Sequence, residues 1–216
     1  MGHVGIITGL AFEAALVSKV CKKMNWGAGA PEVRCVGMGG SGARSAAEAL
    51  AGGGVSGLVS FGIAGGLDPS LAAGTLVVPE QVVTGQGQVW PVDAAWHTEV
   101  LAALDGTLDV AGGTVLAGAG MLTTAAAKQA AWRETGAAAA DMESAEIAAA
   151  AQDVGLRFLV VRAVADEAGM ALPPAAASMG PGGELRLGAV AGSILRQPGQ
   201  VPGLVRLGLK TQKACA

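Results

Sequence analysis

The longest run of this chain without a charged residue, residues 49–67, carries Gly52, Gly53, Gly54, Gly57, Gly62, Gly65 and Gly66. A bilayer span needs ~20 residues of sustained apolar helix, and glycines clustered in this way favour turns. The run therefore reads as a helix end, a loop and a buried strand. The same pattern recurs along the sequence, where short apolar runs punctuated by glycine alternate with Ala-rich stretches that carry polar residues at helical spacing. That alternation is the signature of an α/β fold. Strands are predicted at 4–9, 33–37, 57–61, 74–83, 113–117 and 157–164, most of them unbroken, as strands covered on both faces are. Helices are predicted at 11–24, 43–51, 95–103, 125–135, 142–153 and 187–195. The expected architecture is a single α/β domain over 1–216, with a central, mostly parallel or mixed, twisted sheet flanked by helices. With 216 residues, 51% of them hydrophobic, the chain is long enough to fill one core.

Charge and residue inventory remove several function classes. The formal net charge of −3 speaks against a broad basic face that neutralises nucleic-acid phosphates and favours a small or apolar ligand. Cys21, Cys35 and Cys215 show neither a disulfide pattern nor zinc-ligand spacing, so no metal and a reducing, cytoplasmic setting are expected. The first ten residues lack a basic n-region, and the expectation is a chain without a signal peptide. His3 and His97 are the only histidines, which leaves carboxylates as the leading acid and base candidates.

Glycine-rich and acidic motifs mark where chemistry is expected. Gly37-Met38-Gly39-Gly40-Ser41-Gly42 matches G-x-G-x-x-G between a predicted strand and a helix, where backbone N–H groups cradle anions. A dinucleotide site also wants an acidic residue ~20 positions on, and residues 59–62 contain none. A nicotinamide-dependent oxidoreductase using this loop stays open beside a tight turn with a ligand-facing edge. The loop after strand 57–61, with Gly62, Ala64 and Gly65, lets backbone approach a ligand closely. Asp141, Glu143 and Glu146 fall at a strand-to-helix junction, where acidic residues also serve the helix dipole. Asp166 stands just past a buried strand, where open α/β sheets bind ligands, and reads equally as a cap or a catalyst.

Taken in order, G-L-A-F-E-A at 9–14, G-I-A-G-G-L at 62–67, D-M-E-S at 141–144 and V-R-A-V-A-D at 161–166 resemble the nucleoside phosphorylase superfamily. That superfamily contains the purine and uridine phosphorylases and the methylthioadenosine/S-adenosylhomocysteine nucleosidases. The later segments A-L-P-P-A-A at 171–176, L-G-A-V at 187–190 and R-Q-P-G-Q-V-P-G-L-V-R at 196–206 are similar to its hopanoid-associated phosphorylase branch. The resemblance implies release of adenine from a nucleoside by phosphorolysis or hydrolysis, the substrate of that branch being an adenosine joined at C5′ to a triterpenoid. A non-catalytic nucleoside or lipid carrier is the third reading.

The resemblance also implies roles. Asp166 hydrogen-bonds or protonates N7 of the base, with burial as the device that keeps it protonated. Glu13 positions attacking water, Glu143 accepts hydrogen bonds from the ribose hydroxyls, and Met142 packs on the sugar. Met121 and Leu122 line the base pocket, where relatives often carry an aromatic ring. Ser60 and Ile63 stand where phosphorylases place an arginine and a serine for phosphate, so Gly39, Gly40, Ser41 and Arg44 become the candidate anion site. No cofactor is implied beyond phosphate as a possible co-substrate, and a homo-oligomer is the usual assembly. From residue 169 onward the chain turns basic and apolar together, with Arg186, Arg196, Arg206, Lys210 and Lys213 among leucines and valines. This extension reads as a terminal helix on the core or as a peripheral contact with the inner face of a membrane.

Overall fold

Unbroken apolar strands must bury both faces of their sheet, and here they do so around two long central strands. The computed structural model describes residues 3–104 and 106–172, without the side chains of residues 28 and 41. In chain order the elements are β1 (Gly5–Thr8), α1 (Ala11–Met24), β2 (Glu32–Cys35), α2 (Gly40–Gly52), β3 (Gly57–Gly66), β4 (Leu76–Val77), β5 (Gln81–Val83), β6 (Val89–Pro91), α3 (Ala94–Leu104), β7 (Val110–Ala111), β8 (Thr114–Ala117), α4 (Ala125–Thr135), β9 (Ala139–Asp141), α5 (Ser144–Asp153) and β10 (Arg157–Asp166). Together they make an α/β fold with one mixed sheet flanked by helices.

β3 and β10 run parallel along their whole length, from Gly57 opposite Arg157 to Gly65 opposite Asp166. The other edge of β3 is divided. β1 pairs with it in parallel only as far as Ser60, and β9 pairs antiparallel only at Gly65 and Gly66. β2 lies outside β1, while β8, β5 and β6 continue beyond β9. On the far side β10 takes β4 antiparallel, followed by β7. Residues 61–64 of β3 are thus left between two neighbours on one edge.

The Ala-rich helices explain how the layers close. Ala43 and Ala47 of α2 and Ala148 and Ala151 of α5 are buried where these helices meet, their small side chains allowing close approach to Ile7, Leu58 and Leu159 of the sheet. No helix among the described residues is long and apolar enough to cross a membrane.

Several sequence expectations need correction. Strand 57–61 runs on to Gly66, because the glycines read as a loop are held by β10 on one side and by β9 at the end. The expected strand 74–83 breaks into β4 and β5 around Pro79, which has no N–H to give a ladder. β6, β7 and β9 span two or three residues each, too few for periodicity to reveal. β10 ends at Asp166 and not at Val164, with a bulge at Ala165. The predicted helix 187–195 lies outside the described residues, as does all of the 169–216 extension beyond Leu172.

Candidate active site

The divided edge of β3 creates the first polar demand. Buried backbone N–H groups need acceptors, and between the end of β1 and the start of β9 no strand supplies one to Ile63. Glu13 does: its Oε1 accepts from the Ile63 N–H at 2.9 Å, while its Oε2 accepts from Leu10 N–H at 2.8 Å, capping the start of α1. The carboxyl is 3% exposed. Burial lifts its pKa above the ordinary carboxylate range, with the nearby Arg162 guanidinium pulling in the opposite sense. Gly62 is glycine for the same reason, since a Cβ there would lie 2.5 Å from Oε1 of Glu13 and 2.7 Å from Nη1 of Arg162.

Arg162 is the buried cation around which the acidic residues gather. It projects from the apolar strand β10 with 1% exposure, a position tolerable only with charged partners. Its Nε donates to Oδ2 of Asp141 at 2.7 Å, its Nη2 donates to Ser60 Oγ at 2.6 Å and to Ser144 Oγ at 3.2 Å, and Glu143 lies 3.8 Å away. Burial works against its charge, but Asp141, Glu143 and Glu13 outweigh that, so its pKa stands above the ordinary arginine value. Asp141 also opens α5: Oδ1 accepts from the N–H groups of Glu143 and Ser144 at 3.2 and 3.0 Å, and Oδ2 accepts from the Ser144 hydroxyl.

Glu143 is fixed from the opposite side. Gly39 turns with φ +108°, a conformation that favours glycine, and sends its N–H to Oε1 of Glu143 at 2.9 Å. Burial raises the Glu143 pKa, Arg162 acting against it and Asp141 with it. At the end of β10, Asp166 forms an ion pair with Lys128 of α4. Lys128 is 1% exposed and also donates to the Glu167 carbonyl at 2.8 Å.

One cavity brings these groups together. Glu13, Asp141, Met142, Glu143, Arg162, Lys128 and Asp166 line it, with Ile63, Ala64, Gly65, Met121 and Leu122. Leu172, held by its N–H to the Thr123 carbonyl at 2.8 Å, closes one side. The expected base-side, sugar-side and acid–base residues thus share one wall.

The residues expected to hold an anion lie apart from that cavity. Gly39, Gly40 and Arg44 line a neighbouring depression, not the cavity that holds Asp166. Arg44 is engaged by Asp153 at 2.6 Å and Glu48 at 3.0 Å, and the Gly39 N–H is spent on Glu143. Ser41 lies in the first turn of α2, its side chain outside the described residues. Gly62, expected to admit a ligand, admits instead the side chains of Glu13 and Arg162. Ser60 is fully buried under Arg162.

Sequence reasoning passed over Arg162 and Lys128. The signal for Arg162 was a cation inside an apolar strand, followed by a search for its carboxylate. For Lys128 the signal was weaker, because a lysine in an Ala-rich helix ordinarily faces water.

Against this geometry stand three comparisons. A family model described as Phosphorylase superfamily matches residues 3–178. No curated protein matches the chain. Among solved structures, the 5′-methylthioadenosine/S-adenosylhomocysteine nucleosidase of Neisseria meningitidis is 16% identical with a TM-score of 0.77, over 98% of this chain and 100% of that one. The Helicobacter pylori 5′-methylthioadenosine/S-adenosylhomocysteine nucleosidase in complex with a pyrrolopyrimidine compound is 15% identical with a TM-score of 0.76, over 98% of both chains. The futalosine hydrolase of Helicobacter pylori strain 26695 is 14% identical with a TM-score of 0.76, again over 98% of both.

Proposed function

This chain belongs to the phosphorylase superfamily, a superfamily of enzymes, and we propose that it hydrolyses the N-glycosidic bond of an adenine nucleoside with an apolar 5′ substituent, releasing adenine. The observation that carries this reading is the shared cavity, where Glu13 and Glu143 stand at the β3 gap and Asp166 at the tip of β10. Breaking such a bond needs an acid for the departing base, acceptors beside an oxocarbenium-like sugar, and an oriented nucleophile. Asp166 serves the base at N7. Glu143 accepts from the ribose hydroxyls with Met142 against the sugar, and Glu13 aligns water and takes its proton. The raised pKa of Glu13 suits a base, since it brings proton affinity toward neutral pH.

Hydrolysis is favoured over phosphorolysis by charge. Among the described lining residues, the carboxylates Glu13, Asp141, Glu143 and Asp166 face only two cations, Lys128 and Arg162. Both cations are already paired with those carboxylates. A phosphate dianion entering this wall meets net negative charge and no free guanidinium. The nucleosidase and hydrolase names of the similar structures support the same choice. The loop at 37–42 is a poor dinucleotide site, because a pyrophosphate there meets the Glu143 carboxylate bound to Gly39.

An apolar 5′ group is supported by the wall of Leu10, Met38, Ile63 and Leu172. A triterpenoid at C5′ and a homo-oligomer belong to the same proposal, carried by the sequence resemblance, as do a cytoplasmic setting, carried by the cysteine inventory, and a membrane contact by the 169–216 extension, carried by its basic, apolar composition with that resemblance. The test is adenine release from adenosine and from 5′-alkylthio-adenosines of growing chain length, with and without phosphate. Release without phosphate that improves with chain length is expected. Strict phosphate dependence overturns the hydrolytic reading, and no release from any of these substrates overturns the nucleoside reading.

A further inference from the structure

Lys128 is the one buried residue of α4, whose sequence AAAKQAAWRET otherwise meets solvent or the half-buried rim. A lysine on an Ala-rich helix ordinarily extends into water, so an ammonium at 1% exposure needs a reason. Its two acceptors are both at the tip of β10: Oδ2 of Asp166 and the carbonyl of Glu167, at 2.8 Å. The bulge at Ala165 sets Asp166 opposite Gly65, where even an added Cβ would stand 3.7 Å from the Asp166 carboxyl and 3.9 Å from Lys128 Cε, in ordinary van der Waals contact. Among the described residues nothing donates to Oδ1 of Asp166, and both Asp166 and Lys128 face the cavity.

We propose that Lys128 is a positioning residue for leaving-group departure: it pins Oδ2 of Asp166 so that Oδ1 faces the base, and its ammonium stabilises the carboxylate left when Asp166 gives up its proton. The proposal rests on the nucleoside-cleaving reading above. In the step concerned, the C1′–N9 bond breaks and its electron pair goes to the purine. Asp166 first takes a proton from solvent on Oδ1 while Oδ2 stays on Lys128; that Oδ1–H bond then breaks, N7–H forms, and the aspartate charge is again met by Lys128. Water adds to C1′ and loses its proton to Glu13, from which it returns through solvent to restore the acid. A fixed ammonium aimed at charge that develops in the transition state acts on this step and not on substrate capture.

The test compares a purine nucleoside with p-nitrophenyl riboside, whose phenolate departs without a proton, on the full chain. For Lys128→Met, the ratio of adenine release to p-nitrophenol release is expected to fall about 100-fold, in kcat more than in KM. Lys128→Arg, which keeps the charge, is expected to recover at least about tenfold of that ratio. An unchanged ratio in Lys128→Met, with both substrates slowed alike, overturns the proposal and assigns the lysine to stability. If the methionine variant does not fold, Lys128→Gln, which keeps a donor but not the charge, decides: a ratio at least about tenfold below wild type supports the role, and a wild-type ratio overturns it. Wild-type protein that cleaves the riboside but no nucleoside overturns the nucleoside reading itself, a result distinct from either.

Discussion

The Nε of Arg162 lies 2.7 Å from Oδ2 of Asp141, and the two side chains are 2% and 1% exposed. This contact ties β10 to the end of β9 and the first turn of α5, so it joins three elements that frame the cavity. Breaking a buried pair by removing one partner costs about 3–5 kcal/mol, because the other charge is left uncompensated. Arg162→Met is therefore expected to lower unfolding free energy by about that amount in urea titration. The double change Arg162→Met with Asp141→Leu is expected to cost less than the sum of the two single changes. A loss under about 1 kcal/mol for Arg162→Met alone contradicts this account.

Activity should carry an acid limb set by buried carboxylates. Glu13 works ionised, and burial raises its pKa above the ordinary value of 4.5. kcat/KM is then expected to fall as pH decreases through the raised values of Glu13 and Glu143, and Glu13→Gln should remove the Glu13 part of that limb together with about 100-fold or more of the rate. Stability runs the other way. Glu13 and Glu143 both have folded pKa values above their unfolded ones, so the stabilisation linked to their protonation is complete below about pH 4.5 and is lost as pH rises through the raised values. Thermal melts of Glu13→Gln are expected to show a flatter pH dependence across that window than wild type.

Gly62→Ala tests whether space, and not flexibility, is what the glycine provides. The new methyl would stand within 2.5 Å of Glu13 Oε1 and 2.7 Å of Arg162 Nη1. Both side chains must move, and displacements near 1 Å in a catalytic constellation cost about 100-fold in rate. A kcat loss of that order with nucleoside KM within about threefold is expected; wild-type turnover would mean that Glu13 does not need its observed place.

Glu143→Gln keeps an oxygen for the Gly39 N–H but removes the negative charge next to the sugar. A loss of about 100-fold in kcat is expected if that charge stabilises the oxocarbenium-like transition state. A purely ground-state role would raise KM instead, and steady-state kinetics separate the two.

How much of this was legible in the sequence depends on the range of the interaction. Helices 11–24 and 125–135 were read to the residue, because amphipathic spacing is local. The junction at Asp141, Met142 and Glu143 was legible from its acidic residues and its D-M-E-S motif, although the three-residue β9 that ends there was not. The extension of β3 to Gly66 was not, since its hydrogen bonds come from β9 and β10, about 70 to 100 residues away, and no periodicity records them. For Arg44 the sequence carries no sign of its partner: a basic residue after a glycine loop looks the same whether or not a carboxylate from another helix, here Asp153, holds it. Lys128 was silent for a related reason, its inward direction being set by β10 and not by its own helix.

The Gly39 contact gives the site a character that its list of acceptors conceals. Oε1 of Glu143 already holds an amide, and Oε1 and Oε2 of Glu13 hold two more. Oε2 of Glu143 accepts no hydrogen bond among the described residues, the Arg162 guanidinium standing 3.8 Å away, so it is the oxygen left for a ribose hydroxyl. A sugar lacking that hydroxyl strands this one oxygen, and stranding is what makes recognition sites unforgiving. The division of labour within one carboxyl, Oε1 for the fold and Oε2 for the sugar, should therefore make 2′-deoxyadenosine analogues bind more weakly than their ribose counterparts.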